Sequence, residues 1–181
     1  MLKSGRNPWQ RLSSRQIYSN PWITVREDSV LLPNGSPGIY GVVQTRIATG
    51  VVALTEANEV YLVGQHRYPT DHYSWEIIEG GAERGEDPFL AAQRELREEA
   101  GLVAEYWEPL GGEFHLSNCI SDEIGFLYLA KGLSVVAAEP DATEELVVVK
   151  VPFAQALAMV QSGEIKDAFS VIALLMMATR I

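Results

Sequence analysis

Three glutamates, Glu95, Glu98 and Glu99, fall at spacings i, i+3 and i+4 within residues 80–102, GGAERGEDPFLAAQRELREEAGL. On a helix, which turns about 100° per residue, they share one face. Like charges at these spacings repel one another and destabilise the helix. A Lys or Arg four residues after Glu95 would relieve the repulsion, but Glu99 occupies that position. A hard divalent cation would also resolve it. Mg²⁺ takes oxygen ligands and is usually held by carboxylates together with substrate phosphates. The other reading of the same face is a solvated acidic helix, which requires no ligand.

The stretch supplies its own frame for these side chains. The pair Gly80 and Gly81 opens a loop. Asp87 can cap the helix, and Pro88 suits its first position because that N–H would be unpaired anyway. Gly101 fits the left-handed residue that ends many helices. Phe89, Leu96 and Ala100 point to one side, where they can bury. The glutamates lie about a quarter-turn round from them, and Leu90, Arg94 and Arg97 point elsewhere.

The remaining chain reads as strands interleaved with two further helices. Residues 15–19, 22–32 and 39–46 carry strand signals around the turn chemistry of Leu32-Pro33-Asn34-Gly35-Ser36-Pro37. They make a small antiparallel unit that is too thin to stand alone and needs another surface. Residues 51–55 and 60–64 read as a hairpin. Residues 107–114, 124–130 and 146–151 read as strands, 116–123 and 137–143 as loops, and 153–161 and 167–178 as helices. The pattern predicts an α/β sandwich.

Composition narrows the classes of function. The 181 residues suit one domain with a small appendage. The net charge of −10, with no basic run, argues against binding nucleic-acid backbones or anionic lipid. Cys119 is the single cysteine, which excludes a disulfide framework and a cysteine zinc site. The histidines His66, His72 and His115 have no metal-motif spacing. Residues 1–20 contain no signal-type apolar segment, and the apolar run 171–177 is too short to span a bilayer. A reducing, cytoplasmic setting is the expectation.

The full spacing from Gly80 to Leu102 is G-x5-E-x7-R-E-L-x-E-E-x-G-L. It resembles the Nudix box at every fixed position: Gly80, Glu86, Arg94, Glu95, Leu96, Glu98, Glu99, Gly101 and Leu102. Flanking segments are similar to the ADP-ribose pyrophosphatase branch of the Nudix hydrolases. They are Tyr18-Ser19-Asn20-Pro21-Trp22, Gln65-His66-Arg67-Tyr68-Pro69, Trp75-Glu76, the long loop after Leu129, and Gly163-Glu164-Ile165-Lys166-Asp167. Most of residues 11–180 can be laid on that pattern. The resemblance implies a Nudix-type α/β/α sandwich with a mixed sheet, residues 47–181, behind an N-terminal β arm, residues 1–46. It also implies hydrolysis of nucleoside diphosphate-sugars with Mg²⁺, or Mn²⁺ as the alternative. It further implies a homodimer that exchanges its N-terminal strands.

The same resemblance assigns roles. Glu95 and Glu99 match the principal metal ligands, with Glu98 a third and the backbone carbonyl of Glu79 another. Glu86 and Arg94 match an ion pair bracing loop to helix, next to the glycine pair. Arg67 and Glu76 match substrate-contacting positions, and Trp22 a region that stacks on the base. In this branch the general base lies on the loop before the last strand, which here holds Glu139, Asp141, Glu144 and Glu145. Alignment favours Glu144, with Glu145 in reserve and Glu98 as the fallback within the box. Two departures touch the substrate side. Ser117-Asn118-Cys119 stands where the branch has a Ser-Pro-Gly-like run, and Ile78-Glu79 where it favours Pro-Ala. Both question ADP-ribose itself more than diphosphate hydrolysis. Rival readings are a Nudix hydrolase of nucleoside triphosphates or dinucleoside polyphosphates, and a Nudix-fold domain that binds a nucleotide-sugar without cleaving it.

Overall fold

The computed structural model describes residues 5–138 and 145–180. In chain order its strands are β1 (Gln10–Ser19), β2 (Thr24–Leu31), β3 (Pro37–Gln44), β4 (Ala48–Ala53), β5 (Glu59–Arg67), β6 (His72–Glu76) and β7 (Ile78–Gly81). After helix α1 (Pro88–Ala100) come β8 (Leu102–Pro109), β9 (Phe114–His115), β10 (Ile124–Val135) and β11 (Val147–Pro152), then helices α2 (Phe153–Ser162) and α3 (Ala168–Ala178). The chain divides into two compact units. One comprises the described residues through Arg46 together with Ser117–Glu123. The other comprises Ile47–Leu116 and the described residues from Ile124 onward.

The first unit is the antiparallel sheet β1-β2-β3. Its β2–β3 turn is closed by Leu32 N–H to Ser36 O and Gly35 N–H to Leu32 O, each 2.8 Å. Gly35 adopts a φ of 82°, which a side chain would resist. Segment 117–123 joins this sheet: Val43 N–H donates to Ile120 O at 2.9 Å, and the Tyr40 hydroxyl to Cys119 O at 2.8 Å. The departure at Ser117-Asn118-Cys119 therefore packs on β3. Strand β1 is exposed along its whole length.

The second unit carries two sheets. One is mixed, in the order β7-β4-β10-β8 with β9 on β10, and β4 runs parallel to β10. The other is antiparallel, β11-β5-β6. Strand β4 is buried on both faces. Val52 and Leu54 enter a core with Phe153, Phe169 and Leu174 of α2 and α3. Val51 and Ala53 enter a second core with Ala92 and Leu96 of α1. Period-two alternation thus sends neighbouring residues into opposite layers, and the unit is an α/β/α sandwich. The expected 51–55/60–64 hairpin survives only at its tip, where Leu54 bridges Val60. Both edges of β4 are occupied, by β7 and β10, so β5 departs into the other sheet. The strand expected over 107–114 lies earlier, at Leu102–Pro109, since it starts directly after Gly101 and ends at Leu110-Gly111-Gly112.

Helix α1 has the expected ends. The Asp87 carboxylate accepts from Phe89 N–H at 2.8 Å and Leu90 N–H at 3.4 Å. Gly101 closes the helix at φ 61°, its N–H donating to Arg97 O. Ala91, Ala92, Leu96 and Glu99 are buried, whereas Phe89 is half-buried, edge-on to Trp107 with ring centroids 5.5 Å apart. Among the described residues no helix is long and apolar enough to cross a membrane. Asp87→Ala should cost about 1 kcal/mol. Thermal denaturation should show Tm lower by about 2–4 °C, with Asp87→Asn nearly neutral; an unchanged Tm for the alanine variant would contradict this capping role.

Candidate active site

The acidic face of α1 meets strand β7. Glu99 is buried, and its Oε2 accepts the backbone N–H of Glu79 at 3.3 Å. Glu95 lies over Gly80, where a Cβ would collide with its carboxylate. The glycine leaves room for that carboxylate, and its φ lies outside the left-handed region. Thr49 on β4, wholly buried, donates its hydroxyl to Pro88 O at 3.2 Å and fixes the start of α1 on the sheet.

Arg94 organises this face, which corrects the expectation that it points elsewhere. Its Nε and one terminal nitrogen each reach the Glu86 carboxylate at 3.1 Å. The same terminal nitrogen donates to Gly81 O at 3.0 Å, and the other to Glu95 at 2.7 Å and Glu98 at 2.8 Å. Relief for the glutamates therefore comes from Arg94, adjacent to Glu95 and four residues before Glu98, and not from a cation placed after Glu95. The Glu86 hydrogen bond is the main cause that raises the Arg94 pKa. In return, Arg94 lowers that of Glu86, which also accepts from Glu83 N–H.

A second cluster adjoins the first. Arg67 faces Glu76 through two parallel contacts, Nε to Oε1 at 2.9 Å and a terminal nitrogen to Oε2 at 2.5 Å. That nitrogen also lies 3.3 Å from Glu79 Oε1. Burial disfavours the Arg67 charge, but Glu76, Glu79 and Asp167 outweigh it and raise its pKa. Glu76 is buried, and Arg67 is partly exposed beside a pocket of about 640 Å³ that both line. Burial, followed by the charges of Asp167 and Glu76, pushes the Glu79 carboxyl well above the usual range. Its Oε2 is buried with no hydrogen-bond partner among the described residues.

The sequence pattern pointed to the Glu79 carbonyl and missed its side chain. A glutamate ending the apolar run Trp75-Glu76-Ile77-Ile78 was the available signal. Asp167, which caps α3 through Ser170 N–H at 2.7 Å, was missed as a charge near this cluster. Trp22 stands in the N-terminal sheet unit, 67% exposed. Glu139, Asp141 and Glu144 lie outside the described residues, and Glu145 is exposed.

All oxygen donors on the α1 face are carboxylates or backbone carbonyls, the donor type a hard divalent cation requires. The unpartnered, buried oxygen of Glu79 marks a deficit of positive charge or donors here. The donor set thus fits such a cation. Among the described residues no three acidic, histidine or cysteine side chains are drawn together around one point. Two of the α1 carboxylates are turned onto Arg94 instead.

The chain belongs to the Nudix family. Residues 44–172 match the NUDIX domain, and residues 9–43 match the nucleoside diphosphate sugar hydrolase N-terminal domain. It is 37% identical over 164 residues to a methanol dehydrogenase activator of Bacillus methanolicus, covering 90% of this chain and 88% of that one. It is 35% identical over 159 residues to an ADP-ribose pyrophosphatase of Bacillus subtilis, covering 87% and 85%. A crystal structure of an ADP compounds hydrolase shares the fold with a TM-score of 0.86 at 22% identity, covering 98% of this chain and 96% of that one. Nudix hydrolases generally use divalent metal ions.

A carboxyl with a raised folded-state pKa makes the folded chain bind more protons than the unfolded one. Stability then falls as pH rises from the unfolded glutamate value towards the folded one. In chelator, Glu79→Gln should therefore melt higher than wild type at pH 7, and the difference should vanish as pH falls towards 4, about the unfolded glutamate value. Parallel melting curves across that range would show that Glu79 carries no such burden.

Proposed function

We propose that the protein is a divalent-cation-dependent hydrolase of nucleoside diphosphate-sugars of the ADP-ribose kind. It cleaves the diphosphate linkage to a nucleoside monophosphate and a sugar phosphate. The observation that carries this reading is the acidic face of α1 set against the Arg67–Glu76–Glu79 cluster. It stands in a chain whose first strands match the N-terminal domain of nucleoside diphosphate sugar hydrolases. The relatives named ADP-ribose pyrophosphatase support the substrate class.

Glu95, Glu99, Glu98 and the carbonyl of Glu79 would hold the cation, Mg²⁺ with Mn²⁺ as the alternative. When bound, it supplies neutralisation of the diphosphate charge and a water of lowered pKa. Arg67 donates to a phosphate oxygen from a guanidinium held in plane by Glu76. Glu86 and Arg94 keep the loop and α1 in register. Trp22, exposed in its unit, offers a stacking face for the base. The general base is Glu144, with Glu145 the next candidate and Glu98 the fallback. The division at residue 46, into an arm and a hydrolase domain, is supported by the family boundary at residues 43 and 44. A reducing, cytoplasmic setting is part of the same proposal, supported by the lone Cys119.

A panel of nucleotide-sugars, nucleoside triphosphates and dinucleoside polyphosphates with Mg²⁺, with products identified by mass, tests the reading. ADP-ribose is expected to yield AMP and ribose 5-phosphate. Faster turnover of triphosphates, or binding without turnover, would replace it by one of its rivals. Glu95→Gln and Glu99→Gln should each lower activity by orders of magnitude at saturating Mg²⁺. In metal-free melts Glu99→Gln should be unchanged or higher, whereas Glu95→Gln loses its pairing with Arg94 and gains less. Wild-type turnover in either variant would sink the assignment of the ligands.

The same proposal includes a homodimer through residues 11–46. The exposed Leu12, Ile17, Tyr18 and Ile39 on a three-stranded unit support it. Sedimentation should give a dimer at micromolar concentration, and a monomer would count against this interface.

A further inference from the structure

The pocket of about 640 Å³ beside Arg67 has a chemistry of its own. Its lining includes Thr70, Ser74, Glu76 and Asp167, which suit the hydroxyls of a sugar, and Pro69 and Ala168 as its apolar parts. Among the described residues no large aromatic ring lines it, so these offer no platform for a base. Arg67 links it to the acidic face: its guanidinium contacts the Glu79 carboxylate, and the Glu79 backbone N–H donates to Glu99. Two exposed side chains complete the lining, His72 at the start of β6 and Lys166 just before α3.

The Lys166 ammonium lies 3.3 Å from His72 Nε2. With that contact made, Nε2 accepts, the imidazole proton sits on Nδ1, and two ammonium N–H groups stay available. Among the described residues neither side chain makes an ion pair with a carboxylate. The nearby acids are otherwise engaged: Glu76 holds Arg67, and Asp167 accepts from Ser170 N–H. A cation with no carboxylate ion pair among the described residues, 94 residues distant in sequence from the imidazole it touches, is thus presented at the sugar-suited pocket.

We propose that Lys166 and His72 form an anion-recognising subsite for the sugar half of the substrate, selecting nucleoside diphosphate-sugars whose sugar bears an acidic substituent. The proposal rests on the reading of the protein as a nucleoside diphosphate-sugar hydrolase. The base lies outside this pocket, so specificity for the sugar and for the base are separable.

Equilibrium binding by calorimetry of UDP-glucuronate and UDP-glucose, which share a nucleotide and differ in one sugar carboxylate, tests this directly. Wild type should bind UDP-glucuronate about tenfold more tightly, the scale of one charge-assisted hydrogen bond. Lys166→Ala should abolish the difference, Lys166→Arg should retain it, and His72→Ala should reduce it in part. Affinity for UDP-glucose should fall far less than that for UDP-glucuronate in each alanine variant. Equal affinities in wild type, no binding of either sugar, or a difference that survives Lys166→Ala would overturn the subsite. A preference confined to ADP-ribose carrying a 2′-phosphate on the adenosine would also overturn it, since that contact lies at the nucleoside end. ADP-ribose hydrolysis, measured on the same preparations, reports on the catalytic reading separately. Its absence alongside an intact carboxylate preference would fault the chemistry, whereas its presence without that preference would fault only the subsite.

Discussion

The arrangement depends on one guanidinium. Arg94 touches Glu86, Glu95, Glu98 and the Gly81 carbonyl, and so ties the loop, the end of β7 and the acidic face of α1 into one body. Without it, three carboxylates and a carbonyl would be left close together with the cation that pairs all of them removed, a state costly in a partly buried setting. The arrangement also explains how a helix can carry acids at i, i+3 and i+4 before any cation arrives. Arg94 takes two of them, and the third, Glu99, is satisfied by the backbone of β7. A cation would therefore compete with an internal partner and not simply fill a gap.

The second cluster works in the opposite sense. Arg67 is shared between Glu76 and Glu79, so one cation serves one buried and one half-buried acid, with Asp167 adding a further negative charge nearby. The Glu79 oxygen that finds no partner among the described residues is the site's clearest imbalance. In the branch this chain resembles, an alanine is favoured there, and the glutamate joins the Arg67 pocket to the α1 face. The acidic face of α1 and the Arg67 pocket are thus coupled through a residue that a spacing motif leaves unspecified.

Much of the hydrolase layer was legible because its signals are local. Asp87, Pro88 and Gly101 delimit α1 by capping chemistry, and Asp167 and Gly163 sit at the ends of α3 and α2. What escaped depends on neighbours in space. The hairpin expected for β4 and β5 fails because β10 pairs in parallel with β4 from far along the chain. The bond from Val43 to Ile120 that draws 117–123 onto the N-terminal sheet has no local signature. Helical angle alone misplaces Arg94, because it ignores the reach of a long side chain across a turn. The partial burial of Glu79 followed from β7 pairing with β4, which composition alone does not specify.

If the α1 face is a cation site whose ligands Arg94 holds in place until the cation binds, metal affinity must depend on those carboxylates even without substrate. Titration of the metal-free protein with Mn²⁺, read by its electron paramagnetic resonance signal, measures this. Binding should be saturable in wild type and weaken at least about tenfold in Glu95→Gln and in Glu99→Gln, since each removes a ligand charge. Equal Mn²⁺ affinity in wild type and both variants would refute the cation site and return the acidic face to a structural role.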